Sequence, residues 1–262
     1  MDENDTAGLK KNLEQLERDG FLLVPGALDR EIVQQWRDCL YGRYEREEYD
    51  GRNGVGNVYF NELLAQEPEL ARELIAHPSV APLLKALLGR QCQLRSMRAH
   101  VNPDDYTQEW HMDFRDYWYQ DEKAGGKHVN RALCVNTTFY LTDNTPERGR
   151  LSFIKDCCHR PIPPHLVPDF HYSEDRENPF QSWCYEQPRA DLHPMSGDAV
   201  IFLSHLPHQG AKIGPDEEGE IRANIVLHYQ QNPMFPGILF VSHPQSTLET
   251  LGYDGSFPFR EE

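Results

Sequence analysis

The stretch EWHMDF (109–114) sets His111 and Asp113 two positions apart between Trp110 and Phe114. In an extended chain the side chains at i and i+2 leave the same face, so an imidazole and a carboxylate at this spacing can reach one object. A divalent metal is such an object, and an ordinary surface ion pair is the plainer alternative. Alone, the triplet is common. Downstream, GDAVIFLSHLPHQGAKIG (197–214) supplies two more imidazoles, His205 and His208, after an apolar strand containing Phe202. A third ligand from a distant strand gives two imidazoles and one carboxylate, a set that leaves adjacent coordination positions open on iron(II), as oxygen activation requires. Arg222, in RANIVLHY (222–229), adds a planar guanidinium that matches a carboxylate through two parallel hydrogen bonds. It can hold the far end of an organic acid bound at the metal.

Strands must deliver these groups. In ALCVNTTFYL (132–141) Leu133, Val135, Phe139 and Leu141 form one face, while Cys134, Asn136, Thr138 and Tyr140 form the other, so the polar face must look onto water or a ligand. QLRSMRAHV (93–101) divides the same way, with Met97, Ala99 and Val101 opposite Arg98 and His100. Further strands are predicted at 150–154, 197–204, 222–229 and 237–242. Residues 1–90 read instead as a helical scaffold around one short strand. Leu9, Leu13 and Leu16 share a helical face that stops at Asp19-Gly20, before the strand Phe21–Val24. Asp29 is a candidate N-cap for a helix carrying Ile32, Val33, Trp36 and Leu40, and Val80, Leu83, Leu84, Leu87 and Leu88 mark another that ends at Gly89. Helices first and short strands after predict an α+β chain with a β-sandwich or jelly-roll core, in one domain with the core at 91–262. The proline-rich stretch 160–194 reads as one long irregular connection, and a lid is one function for it.

Composition narrows the class. The 262 residues are 39% hydrophobic and 11% aromatic, enough for a packed core. A net charge of −16 and a pI near 5.1 argue against nucleic-acid partners and anionic membranes. No apolar run reaches bilayer length and the opening MDENDTAGLKKN does not read as a signal peptide, so the cytoplasm is the expected compartment. The six cysteines form no CxxC pair, which disfavours structural zinc and leaves reduced thiols as the expectation.

Taken in order, LERDGFLLVPGALDREIV (16–33), WHMDF (110–114), TFYLTDNTPERGRLSFIKDCCH (138–159), GDAVIFLSHLPH (197–208) and IRANI (221–225) resemble the phytanoyl-CoA hydroxylase family of iron(II) and 2-oxoglutarate-dependent dioxygenases, which includes ectoine hydroxylase. The resemblance implies a cupin-like double-stranded β-helix with the N-terminal helices packed on it. It implies metal ligands at His111, Asp113 and His208, the last falling six residues after Phe202 and preferred over His205. The 2-oxoglutarate contact falls on Arg222, with Asn136 and Thr138 as further candidates. Two departures stand out: Cys157-Cys158-His159 replaces the family's Gly-Ser-His turn, and an acidic insert carries Arg222 14 residues past His208.

Fe(II), 2-oxoglutarate and O2 are the implied cofactors, and C–H hydroxylation of a small metabolite or natural-product intermediate the implied reaction. Desaturation, epoxidation and cyclisation are variants of the same chemistry. Arg98, His100, Trp118 and Arg131 are candidate substrate contacts, and with Arg115 the arginines favour an anionic substrate. A monomer or homodimer is expected. A non-catalytic cupin-like binding protein is the alternative from another class. A halogenase needs a small residue where Asp113 stands.

Overall fold

The computed structural model describes residues 3–52, 57–61, 63–88, 92–103, 106–113, 134–159, 162–163, 165–166, 178–212 and 221–231. Their order is α1 (Glu3–Asp19), β1 (Phe21–Val24), α2 (Arg30–Glu45), β2 (Gly51–Arg52), β3 (Val58–Phe60), α3 (Leu63–Gln66), α4 (Pro68–Ile75), α5 (Ala81–Leu88), β4 (Cys92–Asn102), β5 (Tyr106–Thr107), β6 (Cys134–Tyr140), β7 (Gly149–Ile154), α6 (Pro179–Glu186), β8 (Arg189–Leu192), β9 (Ala199–Leu203), β10 (His208–Lys212) and β11 (Arg222–Gln231). The strands form two antiparallel sheets. The larger runs β1-β9-β6-β11-β4-β3-β2 and the smaller β5-β10-β7-β8, the two layers of a jelly roll.

Strand periodicity decides which side of the large sheet does what. Met97, Ala99 and Val101 on β4, Val135 and Phe139 on β6, and Ala223, Ile225, Leu227 and Tyr229 on β11 are all fully buried, and this face meets the helices. The Tyr229 hydroxyl donates to the Ile75 carbonyl at the end of α4 (2.7 Å), and Tyr41 of α2 donates to the Ile221 carbonyl (2.5 Å). On the opposite face, β11 sets His228 between Ser96 and Asn136, Val226 between Arg98 and Thr138, and Asn224 between His100 and Tyr140. That inward face is the polar one, and it is buried because the second layer covers it.

The helices form where expected. Asp29 caps α2, its carboxylate accepting from the Glu31 and Ile32 amides (3.0 and 2.9 Å), and Val33, Trp36 and Leu40 are buried. Gly20, at φ +79°, ends α1: its amide donates to Leu16 O (2.8 Å) and its carbonyl accepts from Leu203 N (2.9 Å). A Cβ at Gly20 would stand 2.6 Å from Leu206 Cδ1.

Two expectations need revision. The first 90 residues are more than scaffold, since β1, β2 and β3 are strands of the large sheet. The stretch 160–194 is not one irregular connection: Asn178 caps α6 through the Phe180 amide (2.9 Å), Pro179 occupies its first turn, and β8 pairs with β7. Proline content masked a helix start, because proline is well tolerated in the first turn. The stretch available for a lid is therefore shorter than 160–194, and 167–177 lie outside the described residues. Proteolysis of the ligand-free protein is expected to leave 179–192 uncut, and cleavage there, mapped by mass spectrometry, would contradict the packing of α6 and β8. The expected strand at 237–242 and the stop at Gly89 also lie outside the described residues.

Candidate metal centre

His111 and His208 face each other across a single antiparallel bridge. His111 N donates to His208 O (3.0 Å), His208 N donates to His111 O (2.9 Å), and Asp113 N donates to Ser204 O (3.0 Å). The segment 111–113 is thus tied at both ends to the turn that leads into β10. It is a bridge followed by a bend, not the strand its spacing suggested, yet His111 and Asp113 still converge. Met112 between them is buried in the core. From the other side Gln181 of α6 grips the preceding residue, accepting from Trp110 N (3.0 Å) and donating to Trp110 O (2.6 Å), as a neighbouring strand would.

The two imidazoles are prepared in the same way. Nδ1 of His111 lies 2.9 Å from Glu109 O, and Nδ1 of His208 lies 2.9 Å from Leu206 O. A carbonyl can only accept, so each Nδ1 carries the proton and each Nε2 presents a lone pair, the state a metal requires. These nitrogens lie 3.9 Å (His111) and 3.5 Å (His208) from the Asp113 carboxylate, and one ligand atom from each of the three residues falls within 4.8 Å of the others. Burial, then the neighbouring His111, depresses His208 to about 4, so it is neutral at pH 7. Burial works against ionisation of Asp113, but the His208, His228 and His111 imidazoles outweigh it and hold the carboxyl below the usual carboxylate range. Two buried nitrogen lone pairs and an ionised carboxylate aimed at one point form a donor set that a divalent cation completes, and the set suits iron(II). Phe202 packs against His208, their ring centroids 4.7 Å apart.

His205 is buried in the same turn but is not one of the converging three. His208 opens β10; it does not finish the strand that holds Phe202, because Ser204–Pro207 turn the chain between them.

The triad opens into a cavity also lined by Arg98, His100, Thr138, Tyr140, Arg222 and Asn224. Arg222 is 5% exposed, donates from Nη1 to Ala211 O (2.7 Å) and lies over the Tyr140 ring at 5.8 Å. Near it the Asn102 amide, opposite Arg222 in register, and Asn224 Oδ1 are buried without a hydrogen-bond partner among the described residues. A buried cation beside the unsatisfied Asn102 Nδ2 donor fits a site built for a carboxylate, which only accepts. Farther along the face, Arg98 donates from Nε to Asn61 Oδ1 (2.6 Å) and lies over the Tyr59 ring at 5.3 Å. His100 is pushed down to about 3 by burial first and then by the nearby Arg98 charge, so it enters the cavity neutral.

Of the residues singled out from sequence, Thr138 lines the cavity, whereas Asn136 is turned to Asp113. Its Nδ2 donates to Oδ2 of that carboxylate and its Oδ1 accepts from Ser204 Oγ (2.6 Å). With both ends of the amide engaged, Asn136 supports the metal carboxylate in place of the expected 2-oxoglutarate contact. Trp118 and Arg131 lie outside the described residues. His228 went unnoticed in the sequence, although alternation from Arg222 through Asn224 and Val226 puts it on the inward face.

The family profile of phytanoyl-CoA dioxygenase matches residues 16–213. The ectoine dioxygenase of Stutzerimonas stutzeri (strain A1501) is 24% identical over 152 residues, which cover 53% of this chain and 47% of that protein, so the chain spans about half the length of this curated relative. Among solved structures, the non-haem alpha-ketoglutarate-dependent epimerase SnoN from nogalamycin biosynthesis superposes with a TM-score of 0.65 at 22% identity, covering 87% of this chain and 84% of that one. HygX from Streptomyces hygroscopicus, with nickel and 2-oxoglutarate bound, gives a TM-score of 0.62 at 16% identity, covering 85% and 87%. At these identities the superpositions establish the fold.

Proposed function

Because the chain belongs to the phytanoyl-CoA dioxygenase family of iron(II) and 2-oxoglutarate-dependent dioxygenases, we propose that it oxidises a C–H bond of a small metabolite or natural-product intermediate, most simply by hydroxylation. The observation that carries this reading is the convergence of His111, Asp113 and His208 in the cavity that holds buried Arg222. The reaction balances as substrate C–H plus O2 plus 2-oxoglutarate giving substrate C–OH, succinate and CO2. His111, Asp113 and His208 would hold the iron, which with 2-oxoglutarate supplies the activation of O2.

The chain's own residues do the rest. Arg222 holds the distal carboxylate of 2-oxoglutarate, with Thr138, Asn102 and Asn224 as polar neighbours that position it. Phe202 and Tyr140 keep the wall of the site apolar and limit water. Arg98 is steadied by Asn61 and Tyr59, so its guanidinium meets the substrate at small entropic cost, and this supports an anionic substrate. Neutral His100 beside it offers hydrogen bonds without adding charge. The nogalamycin biosynthesis in which SnoN acts and the hygromycin B bound to HygX fit a natural-product intermediate. Cys39, Cys134, Cys157, Cys158 and Cys184 form no disulfide among the described residues, which fits a reducing compartment such as the cytoplasm. Among the described residues, no helix is long and apolar enough to cross a membrane.

The test is a panel of small anions and neutral analogues incubated with Fe(II), 2-oxoglutarate and 18O2, with succinate and product measured by mass spectrometry. A product that gains 18O supports hydroxylation. Loss of two hydrogens indicates desaturation or ring closure, and a chlorinated product in chloride buffer would defeat the assignment. For an anionic substrate Arg98→Gln should raise KM by about 10- to 100-fold, with 2-oxoglutarate affinity unchanged.

A further inference from the structure

The metal carboxylate is held from two sides. Asn136 of β6 donates to Oδ2 of Asp113, and His228 of β11 brings Nε2 to 3.5 Å from the same oxygen. Each of these two residues is itself secured by a serine. Ser204 Oγ donates to Asn136 Oδ1 (2.6 Å), and Ser96 Oγ lies 2.6 Å from His228 Nδ1. Ser96, His228, Asp113, Asn136 and Ser204 thus form one polar strap across the inner face, drawn from five segments of chain. The register explains why: β11 lies between β4 and β6, with Ser96 and Asn136 as the direct neighbours of His228.

Resting on the metal reading above, we propose that His228, fixed by Ser96, is a positioning residue that orients the Asp113 carboxylate for metal binding. The hydrogen-bond arithmetic supports one tautomer. An Nε2 facing an ionised carboxylate must carry a proton, since a lone pair there would be repelled. In the neutral ring Nδ1 is then the acceptor, and the Ser96 hydroxyl donates to it. A serine hydroxyl can turn to do so. The Asp113 carboxylate therefore sets the tautomer of His228 and Ser96 anchors the other ring nitrogen, whereas the Glu109 and Leu206 carbonyls set the opposite tautomer for His111 and His208. Three histidines surround one carboxylate: backbone carbonyls at Nδ1 leave His111 and His208 offering lone pairs, and the carboxylate itself leaves His228 offering a proton. Oδ2 carries Asn136 and faces His228, while Oδ1 accepts no hydrogen bond among the described residues. A short carboxylate with two rotatable bonds loses fewer orientations on binding when two donors have already set its plane.

Co(II) binding to the full chain without 2-oxoglutarate, followed by calorimetry and by the visible absorption of the bound ion, tests this apart from turnover. His228→Phe is expected to weaken Co(II) binding by about 10- to 100-fold and to alter the visible spectrum. His228→Gln, whose amide reaches about as far as Nε2, should restore both to within about 3-fold of wild type, and Ser96→Ala should fall between. A merely structural histidine would not be rescued by glutamine. Wild-type affinity and spectrum in His228→Phe would overturn the proposal, as would glutamine behaving like phenylalanine. Unchanged binding in Ser96→Ala would remove the serine's part. If His228→Phe does not fold, His228→Gln against His228→Asn decides, because the shorter amide cannot reach Asp113 and equal binding by the two refutes the role. No Co(II) binding by the wild type would instead remove the metal reading itself, and the inference with it.

Discussion

His208→Ala and His111→Ala are each expected to lose divalent metal by well over about 100-fold, beyond the range that supporting hydrogen bonds around a metal reach on their own. Both nitrogens come from residues whose Nδ1 is already committed to a backbone carbonyl, so neither ring can be replaced by rotating another into place. His205→Ala should keep its metal to within about 3-fold, because His205 is not among the converging ligands. Metal content of the purified variants and calorimetric titration of the metal-free proteins measure all three. Equal loss in His205→Ala would mean that the turn from Ser204 to His208 presents a different imidazole from the one the geometry assigns.

Arg222→Ala should weaken 2-oxoglutarate binding by about 2 to 4 kcal/mol, roughly 30- to 1000-fold, while metal binding survives. The size of the effect follows from burial. A carboxylate entering the cavity gives up water, and the guanidinium is what replaces it. Arg222→Lys should recover only part of the loss, since an ammonium is a point charge and cannot form the two parallel hydrogen bonds of the fork. Titration of 2-oxoglutarate into the Mn(II)-loaded variants separates the two effects, and unchanged affinity in Arg222→Ala would move the cosubstrate elsewhere in the cavity. Arg98 lies four positions along β11 from Arg222 in register, a span of about 13 Å between backbone positions.

What could be read from the sequence was whatever depends on near neighbours. The two-residue step from His111 to Asp113 needs only local geometry, and the two side chains do converge with His208 even though the segment proved to be a bridge and a bend. The division of 93–101 and 132–141 into two faces was legible for the same reason: alternation is a property of one strand. Register is different, since it belongs to pairs of strands. Nothing within RANIVLHY says that His228 stands opposite Ser96 and Asn136, so its place beside Asp113 was hidden, and with it the reason Asn136 turns to the carboxylate. The turn at Ser204–Pro207 was also hidden, because an apolar run followed by two histidines reads naturally as one strand with a tail. At α6, Asn178-Pro179 is an ordinary helix start, but it stood among prolines that suggested irregular chain.

Gly20 lies far from the metal ligands in sequence, yet the room its missing side chain leaves is filled by Leu206, whose carbonyl fixes Nδ1 of His208. In the language of variant interpretation, this glycine is a metal-site position. A side chain there is strained in the left-handed backbone that ends α1 and crowds the Leu206 side chain, which belongs to the residue whose carbonyl holds Nδ1 of His208. A scan that ranks positions by distance from the cavity would class Gly20 as a remote helix terminus. Its damage would surface as iron lost on dialysis from a protein whose N-terminal helix is intact.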